Sequence, residues 1–396
     1  MRVFCLTPWN WKPHFDWFRR DLGLLVDGLR QEGVEARLVL HHTKGMPEDE
    51  RWMGVEPSDL KDSSWWTRQA PKLVIALAGT RPGLLPVITA ITAAGIPVWN
   101  KMDTDGTLGS TSNFRDALYQ GWWRGKSNGH ALPGLRSLLM QIYWRTVSQR
   151  GDKLAVRILE PARRILVESP IATARVRRFF RRNARRDLAE RVVWFPSAVS
   201  NEFAASPTIV RKRQIISIAR WGDFQQKDAP LMMATLREVL TARPDYHALL
   251  IGSGEETLRD LAREDGNFSE RLTITGRLPG ETLVRHYQES RIFLNTSRGE
   301  GFPNAIAEAV CSGCSVVGPS SISSLHYFTG KTSGTLATSR WWGDLADATL
   351  AEIEEWELSL RAPLEISKHF RGDLSPASAS RRILQLLASD EETARS

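Results

Sequence analysis

The chain opens on a short apolar run, Arg2 to Leu6, and a second follows at Val34 to Leu40. Between them, from about Trp17 to Gln31, apolar residues recur at helical spacing. Lys72 to Ala76, Leu84 to Ala94 and Val98 to Lys101 repeat the alternation as strand, helix and strand, and Ile165 to Ser169 and Val192 to Val199 add two more strands. The pattern then restarts. Gln214 to Ile218, His247 to Gly252, Leu272 to Thr275, Ile292 to Asn295 and Cys314 to Gly318 are apolar, with amphipathic stretches between them. Short apolar strands separated by helices belong to parallel sheets covered on both faces. The expectation is therefore an α/β chain with two doubly wound, Rossmann-like domains. Trp341 to Trp356 and Ala377 to Leu387 read as closing helices, whereas Met46 to Trp66 has no period that assigns it.

At 396 residues, with 42% hydrophobic and 25% charged residues, the chain is long enough for two ordinary cores. A non-periodic stretch around Asn201 to Val210 marks the expected hinge. It divides the chain into a first domain over 1–205, a second over 206–375, and a crossover helix with its tail over 376–396. Leu73 to Trp99 is the most apolar region, but Gly79-Thr80-Arg81-Pro82-Gly83 and Gly95-Ile96-Pro97 interrupt it, so it does not read as a membrane span. Met1 to Leu6 is too short before Thr7-Pro8 for a signal peptide. The three cysteines do not make a disulfide scaffold. Cys311 and Cys314 form a C-x-x-C without a second pair, at a helix end where small apolar residues pack, and read as buried thiols. A cytoplasmic location is expected.

The net charge of +8 and the 15 tryptophans call for an anionic partner. Nothing resembles a nucleic-acid motif, so a membrane surface or a polyanionic acceptor ranks above nucleic acid. Aromatic and basic residues interleave from Leu118 to Arg164, and Arg175, Arg177, Arg178, Arg181, Arg182, Arg185 and Arg186 crowd one helix. Arg178, Arg181, Arg182 and Arg185 share a face. That face is either solvated or meets an anionic partner, an anionic acceptor or the lipid at the inner face of the membrane.

The densest chemistry is Ser297-Arg298-Gly299-Glu300-Gly301-Phe302-Pro303-Asn304-Ala305-Ile306-Ala307-Glu308-Ala309. It places Glu300 on a loop after a buried strand and Glu308 within the following helix. Amides from Gly301 to Asn304 lie at the helix N-terminus, where unpaired N–H groups and partial positive charge favour anions. Acids for sugar hydroxyls beside amides for phosphate suit a sugar phosphate. Arg220 and Lys227, just beyond another strand, can converge on a diphosphate. Gly252 and Gly254 allow close backbone approach to a nucleotide, or merely a tight turn.

These residues resemble the paired-glutamate signature of the retaining GT-B glycosyltransferases, group 1 (family 4). Glu300-Gly301-Phe302-Pro303-Asn304 with Glu308-Ala309 carries the likeness, and Arg220 with Lys227 matches the family's Arg…Lys pair. The resemblance implies two Rossmann-like domains facing each other across a cleft, with the C-terminal helix crossing back to the first. It further implies a retaining transferase that moves a sugar from a nucleotide diphosphate sugar to a glycan or glycolipid hydroxyl, in surface polysaccharide or glycolipid synthesis. Arg220, Lys227 and Glu300 would be catalytic, and Gly252, Gly254, Arg277, Gly301, Phe302, Pro303, Asn304 and Glu308 would bind the donor, with no metal and no cofactor. On the acceptor side it points to Asn10, His14 and Asp103. His14 reads more readily as a surface or packing histidine than as a catalytic base, and Asp103-Thr104-Asp105-Gly106 reads also as an Asx turn. Departures from the family occur at Trp9 to His14, where its glycine pair is absent, at Met102, and at Ser197-Ala198. Alternatives on the same fold are a nucleotide-sugar epimerase, which needs no acceptor, and a non-catalytic nucleotide-sugar-binding protein.

Overall fold

A computed structural model describes residues 1–7, 17–40, 49–108, 134–135, 138–139, 148–263 and 266–395. They fall into two compact units, Met1–Ser197 with Ala379–Ser396, and Ala198–Ser378. The first unit holds seven strands: β1 (Arg2–Leu6), β2 (Glu35–Leu40), β3 (Trp52–Gly54), β4 (Leu73–Ala76), β5 (Val98–Met102), β6 (Arg164–Val167) and β7 (Val192–Trp194). Their order in the sheet is β3-β2-β1-β4-β5-β6-β7, and every pairing is parallel. Val3 is thus in register with Ala36 on one side and Leu73 on the other. β4 and β5 are buried along their whole lengths, which is why they read as continuous apolar runs. Helix Asp21–Gln31 turns Leu22, Leu25, Val26 and Leu29 inward, and helix Pro170–Arg182 does the same with Val176, Phe179 and Phe180.

The second unit repeats the winding with six strands: β8 (Gln214–Ile218), β9 (His247–Ile251), β10 (Leu272–Thr275), β11 (Ile292–Leu294), β12 (Ser315–Pro319) and β13 (Gly334–Ala337). Their order is β10-β9-β8-β11-β12-β13, again all parallel. In both sheets the strand order reverses beside the first strand, between β1 and β4 and between β8 and β11. Loops leaving the carboxyl ends of strands at such a reversal open a crevice for ligands. One core lies against helices Ala229–Ala242 and Trp342–Glu357 and includes Ile215, Met232, Leu236, Leu250, Leu345 and Ile353. A second core holds Ile216, Phe293, Val316, Ile306 and Phe370.

Three expectations change. The division falls after Ser197, not at 205–206, because Val199 and Phe203 already pack in the second unit's core and the Val199 N–H donates to the Leu374 carbonyl at 2.7 Å. β3 emerges inside the unassigned stretch 46–66 as a three-residue edge strand in register with Leu38 to Leu40. β13 lies where no strand was expected, since Gly334-Thr335-Leu336-Ala337 contains a glycine and one large apolar residue. The last helix, Pro376–Arg395, joins the first unit from Ala379 onward, as expected of a crossover. There Arg164 pairs with Asp390 at 2.6 Å and the Arg382 guanidinium lies over the Trp194 ring.

The cysteines are free and buried, and burial pushes the Cys311 thiol up to about 12. The arginine run divides its labour. Arg177 donates to the Val192 carbonyl and Arg185 pairs with Glu160 and Asp187, while Arg178, Arg181 and Arg182 stay exposed. Among the described residues no helix is long and apolar enough to cross a membrane. Most of 118–147, with its tryptophans, lies outside the described residues.

Candidate active site

At the strand reversal of the second unit, two segments meet side by side. One runs from Arg220 to Asp228 beyond β8, and the other from Asn295 to Glu300 beyond β11. The Lys227 ammonium donates to Glu300 Oε1 at 2.5 Å, with both side chains largely buried. Gln226 Nε2 donates to Glu300 Oε2 at 3.3 Å and to the Gly299 carbonyl at 3.0 Å. Arg220 Nη2 in turn donates to Gln226 Oε1 at 3.3 Å and lies 3.7 Å from Asp223, with its side chain 66% exposed. The three residues expected to do chemistry are therefore joined through Gln226. Sequence reading passed over Gln226, although it sits one residue before Lys227.

The backbone fixes this arrangement. Arg298 N–H donates to the Gln226 carbonyl at 2.7 Å, and Thr296 Oγ1 donates to the Lys227 carbonyl at 3.0 Å. Asn295 Oδ1 accepts from Ser297 N–H at 3.1 Å, closing an Asx turn at the end of β11. Beyond Glu300 the helix Asn304–Cys311 begins with Pro303 at its N-cap and no side-chain cap. Proline offers no side-chain acceptor to the helix's first amides, and the partial positive charge at such an end favours an anion. Phe302 points the other way, into the core at 5.6 Å from the Phe328 ring centroid, so its side chain anchors the loop. Gly301 and Asn304 are half-buried, and Pro303 is buried.

Gly252 and Gly254 bring a third loop against the Arg220 segment. Gly252 has φ +134° and a Cβ there would lie 1.8 Å from the Ala219 carbonyl oxygen; Gly254 has φ +83° and would meet Gly222 N at 2.2 Å. Both contacts are backbone to backbone, and Trp221 N–H donates to the Ser253 carbonyl at 2.7 Å. The glycines thus serve the approach of one loop to another. Arg277 lies exposed in the next loop, after β10. Glu308 is half-buried, and its Oε2 accepts from the Tyr287 hydroxyl at 3.0 Å. Tyr287 also lies outside what the sequence motif named.

In the first unit, Asn10 and His14 lie outside the described residues, and Asp103 is exposed beyond β5. Asp105 makes an Asx turn. Its Oδ1 accepts from Thr107 N–H at 2.9 Å and from the Thr107 hydroxyl at 2.6 Å. A group that sequence reading missed sits at the same edge of the sheet. Lys101, in β5, is buried, with its ammonium 2.8 Å from Asp21 Oδ1, 2.7 Å from Ser197 Oγ and bonded to Glu168 Oε1. Burial alone would depress the Lys101 ammonium; Asp21 and Glu168 more than offset it and hold its pKa above the ordinary lysine range. Two carboxylates share one ammonium, so one is in excess. Burial pushes Glu168 up to about 8 against the pull of Lys101, with Asp103 and Asp21 adding to the rise. The signal was present in the sequence as a lysine inside a strand that is otherwise apolar or amide.

Residues 212–354 match the family model described as glycosyl transferases group 1. No curated protein matches the chain. Among solved structures the chain is similar to HepE from Anabaena in complex with UDP, at 15% identity and a TM-score of 0.67, over 98% of this chain and 100% of that one. It is similar to the apo form of the lipopolysaccharide outer core galactosyltransferase WaaB, at 14% identity and 0.65, over 98% and 100%. Sucrose-phosphate synthase from Thermosynechococcus elongatus gives 12% identity and 0.64, over the whole of both chains. At such identities the likeness is one of fold. Residues 212–354 of the second unit thus match a glycosyl transferases group 1 model, within a chain whose fold is that of the GT-B glycosyltransferases.

Proposed function

We propose that the protein is a retaining glycosyltransferase that moves a sugar from a nucleoside diphosphate sugar to an acceptor hydroxyl. The observation that carries this reading is the Arg220–Gln226–Glu300–Lys227 constellation at the strand reversal, beside an uncapped helix N-terminus. As the bond from the anomeric carbon to the β-phosphate oxygen breaks, its electron pair leaves with the diphosphate. Arg220 and Lys227 meet that growing charge. Lys227 has three donor protons, enough to hold Glu300 and a phosphate oxygen together. The acceptor oxygen attacks from the face the diphosphate leaves, and its proton passes to the departing phosphate. Glu300 and the amides from Gly301 to Asn304 hold the donor sugar and phosphate, and Glu308 holds the ribose. No metal is assigned a role.

HepE has been solved with UDP-glucose, and WaaB is a lipopolysaccharide outer core galactosyltransferase, so a UDP-sugar and a surface glycan or glycolipid acceptor are the first candidates. Incubation with UDP-, GDP- and ADP-sugars, read as nucleotide release, tests the reading. Slow hydrolysis of one donor by the wild type, lost in Glu300→Gln, supports it. Absence of binding to all three nucleoside diphosphates overturns it. A product of inverted anomeric configuration would remove the retaining assignment alone.

Glu308→Ala is expected to weaken binding of the cognate nucleoside diphosphate by about 1–3 kcal/mol, because the ribose hydroxyls lose their acceptor, while the Tyr287 hydroxyl keeps the Ala305 carbonyl at 3.0 Å. Titration calorimetry reads this directly, and unchanged affinity in a folded variant excludes the ribose role. The exposed Arg178, Arg181 and Arg182 offer the protein a contact with anionic lipid at its site of work. Flotation with phosphatidylserine vesicles at low salt, abolished at high salt, is the expected result. No flotation at low salt excludes that contact.

A further inference from the structure

The residue after Lys227 is an aspartate in a conformation that suits glycine. Asp228 has φ +52° and ψ +58°, the left-handed region that non-glycine residues rarely occupy. It is 7% exposed and precedes the helix Ala229–Ala242, yet its carboxylate does not cap that helix. Asp228 Oδ2 instead lies 2.7 Å from Arg298 Nη2 and 2.7 Å from Arg340 Nη2. Arg340, in the loop after β13, also donates through Nη1 to the Ser297 carbonyl. One carboxylate therefore ties together the segments beyond β8, β11 and β13.

These contacts run parallel to the reactive ones. Lys227 reaches Glu300, and the neighbouring Asp228 reaches Arg298, two residues before Glu300. Between these rungs lie the Arg298-to-Gln226 and Thr296-to-Lys227 hydrogen bonds. With both ends fixed, the Lys227 ammonium and the Glu300 carboxylate are held in register before a ligand arrives. The clamp also keeps two guanidinium groups on a protein carboxylate, immediately beside the site proposed for a diphosphate. A charge-assisted, nearly buried arrangement of this kind holds geometry better than exposed pairs do.

We propose that Asp228 is a positioning residue, acting through Arg298 and Arg340 to set Lys227 against Glu300; in its catalytic consequence this rests on the glycosyltransferase reading. Asp228→Gly is the informative variant, since glycine accepts the left-handed backbone and only the carboxylate is lost. With whichever of UDP-, GDP- or ADP-glucose the wild type hydrolyses, Asp228→Gly is expected to lower kcat by about 10- to 100-fold while donor KM moves by no more than about threefold. Asp228→Asn, which keeps an acceptor oxygen, is expected to recover most of the loss. A second readout needs no substrate. Amide exchange at Arg298, whose N–H bonds to Gln226, is expected to quicken at least about tenfold in Asp228→Gly, while exchange in β9 is unchanged. Wild-type kcat in Asp228→Gly, or wild-type exchange at Arg298, overturns the proposal. If the wild type hydrolyses no donor, binding of the nucleoside diphosphates decides the functional reading separately, and the exchange result alone decides the clamp.

Discussion

Lys227→Met is expected to lower sugar-transfer turnover by about 10²–10³-fold, the scale on which removal of one preorganised charge partner acts. Methionine keeps the length and much of the volume of the lysine stem, so the change removes charge rather than packing. The ammonium is largely buried and 2.5 Å from Glu300 Oε1, where a charge interacts more strongly than in open water. Its loss acts in two ways. The leaving diphosphate loses a counter-charge that matters most in the transition state, so kcat should fall further than donor binding weakens. Glu300 also loses the group that orients it, so Lys227→Met and Glu300→Gln together should cost less than the sum of the single losses. Arg220→Met is expected to cost less than Lys227→Met, because the Arg220 side chain is two-thirds exposed and its link to Glu300 passes through Gln226. Steady-state kinetics on the hydrolysed donor separate these effects. A Lys227→Met enzyme within about threefold of wild-type kcat would show that the diphosphate leaves without help from this residue.

What could be read in advance divides along physical lines. Nine of the thirteen strands among the described residues are short runs buried on both sides or nearly so, and such runs announce themselves by composition alone. The strands that were not foreseen, β3 and β13, lie at sheet edges, where few neighbours demand apolar side chains. β7 was foreseen but ends at Trp194, short of Val199, because the chain leaves the sheet around Pro196. The local motif around Glu300 could be read because its loop, its acid and its helix start are contiguous in sequence. Gln226, Asp228, Arg298, Arg340 and Tyr287 could not be given partners that way, since their bonds join segments well separated in sequence, from 21 residues for Tyr287 and Glu308 to 112 for Arg340 and Asp228. Phe302 stands inside the motif, but its side chain fills the core beside Phe328, which leaves its backbone amide as the part that can act with the loop's other amides. In Asp103-Thr104-Asp105-Gly106, Thr107 takes up the Asp105 carboxylate, and Gly106 lies so close to Ala172 that a Cβ there would be 2.6 Å from its carbonyl oxygen.

The largest stability loss is expected at a residue outside the proposed chemistry. Lys101→Met should destabilise the first unit by about 3–5 kcal/mol, the cost of breaking a buried ion pair by removing one partner. Lys101 is 1% exposed and its ammonium meets Asp21, Glu168 and Ser197, the last residue of that unit before the chain enters the second. The methionine leaves two carboxylates facing each other with no shared cation. The loss should depend on pH, with a sign set by Glu168. Burial pushes that carboxyl up from 4.5 to about 8, so its neutral form belongs to the folded state. An acid raised in this way adds stability below its ordinary value, and the contribution is lost as pH rises through about 8. Without Lys101 the Glu168 carboxyl rises further, so the variant should lose more at pH 9 than at pH 5. Urea unfolding followed by amide exchange in β5 and β6 reads the first unit by itself. An equal loss at both pH values would place the proton elsewhere than on Glu168. Lys101→Met with Glu168→Met should then recover most of the stability, because an apolar pair replaces the buried charges and Asp21, which is partly exposed, can turn to water. If the double variant is no more stable than Lys101→Met alone, the lysine supports the unit by packing its stem, and the charge network is not what holds β5, β6 and Ser197 together.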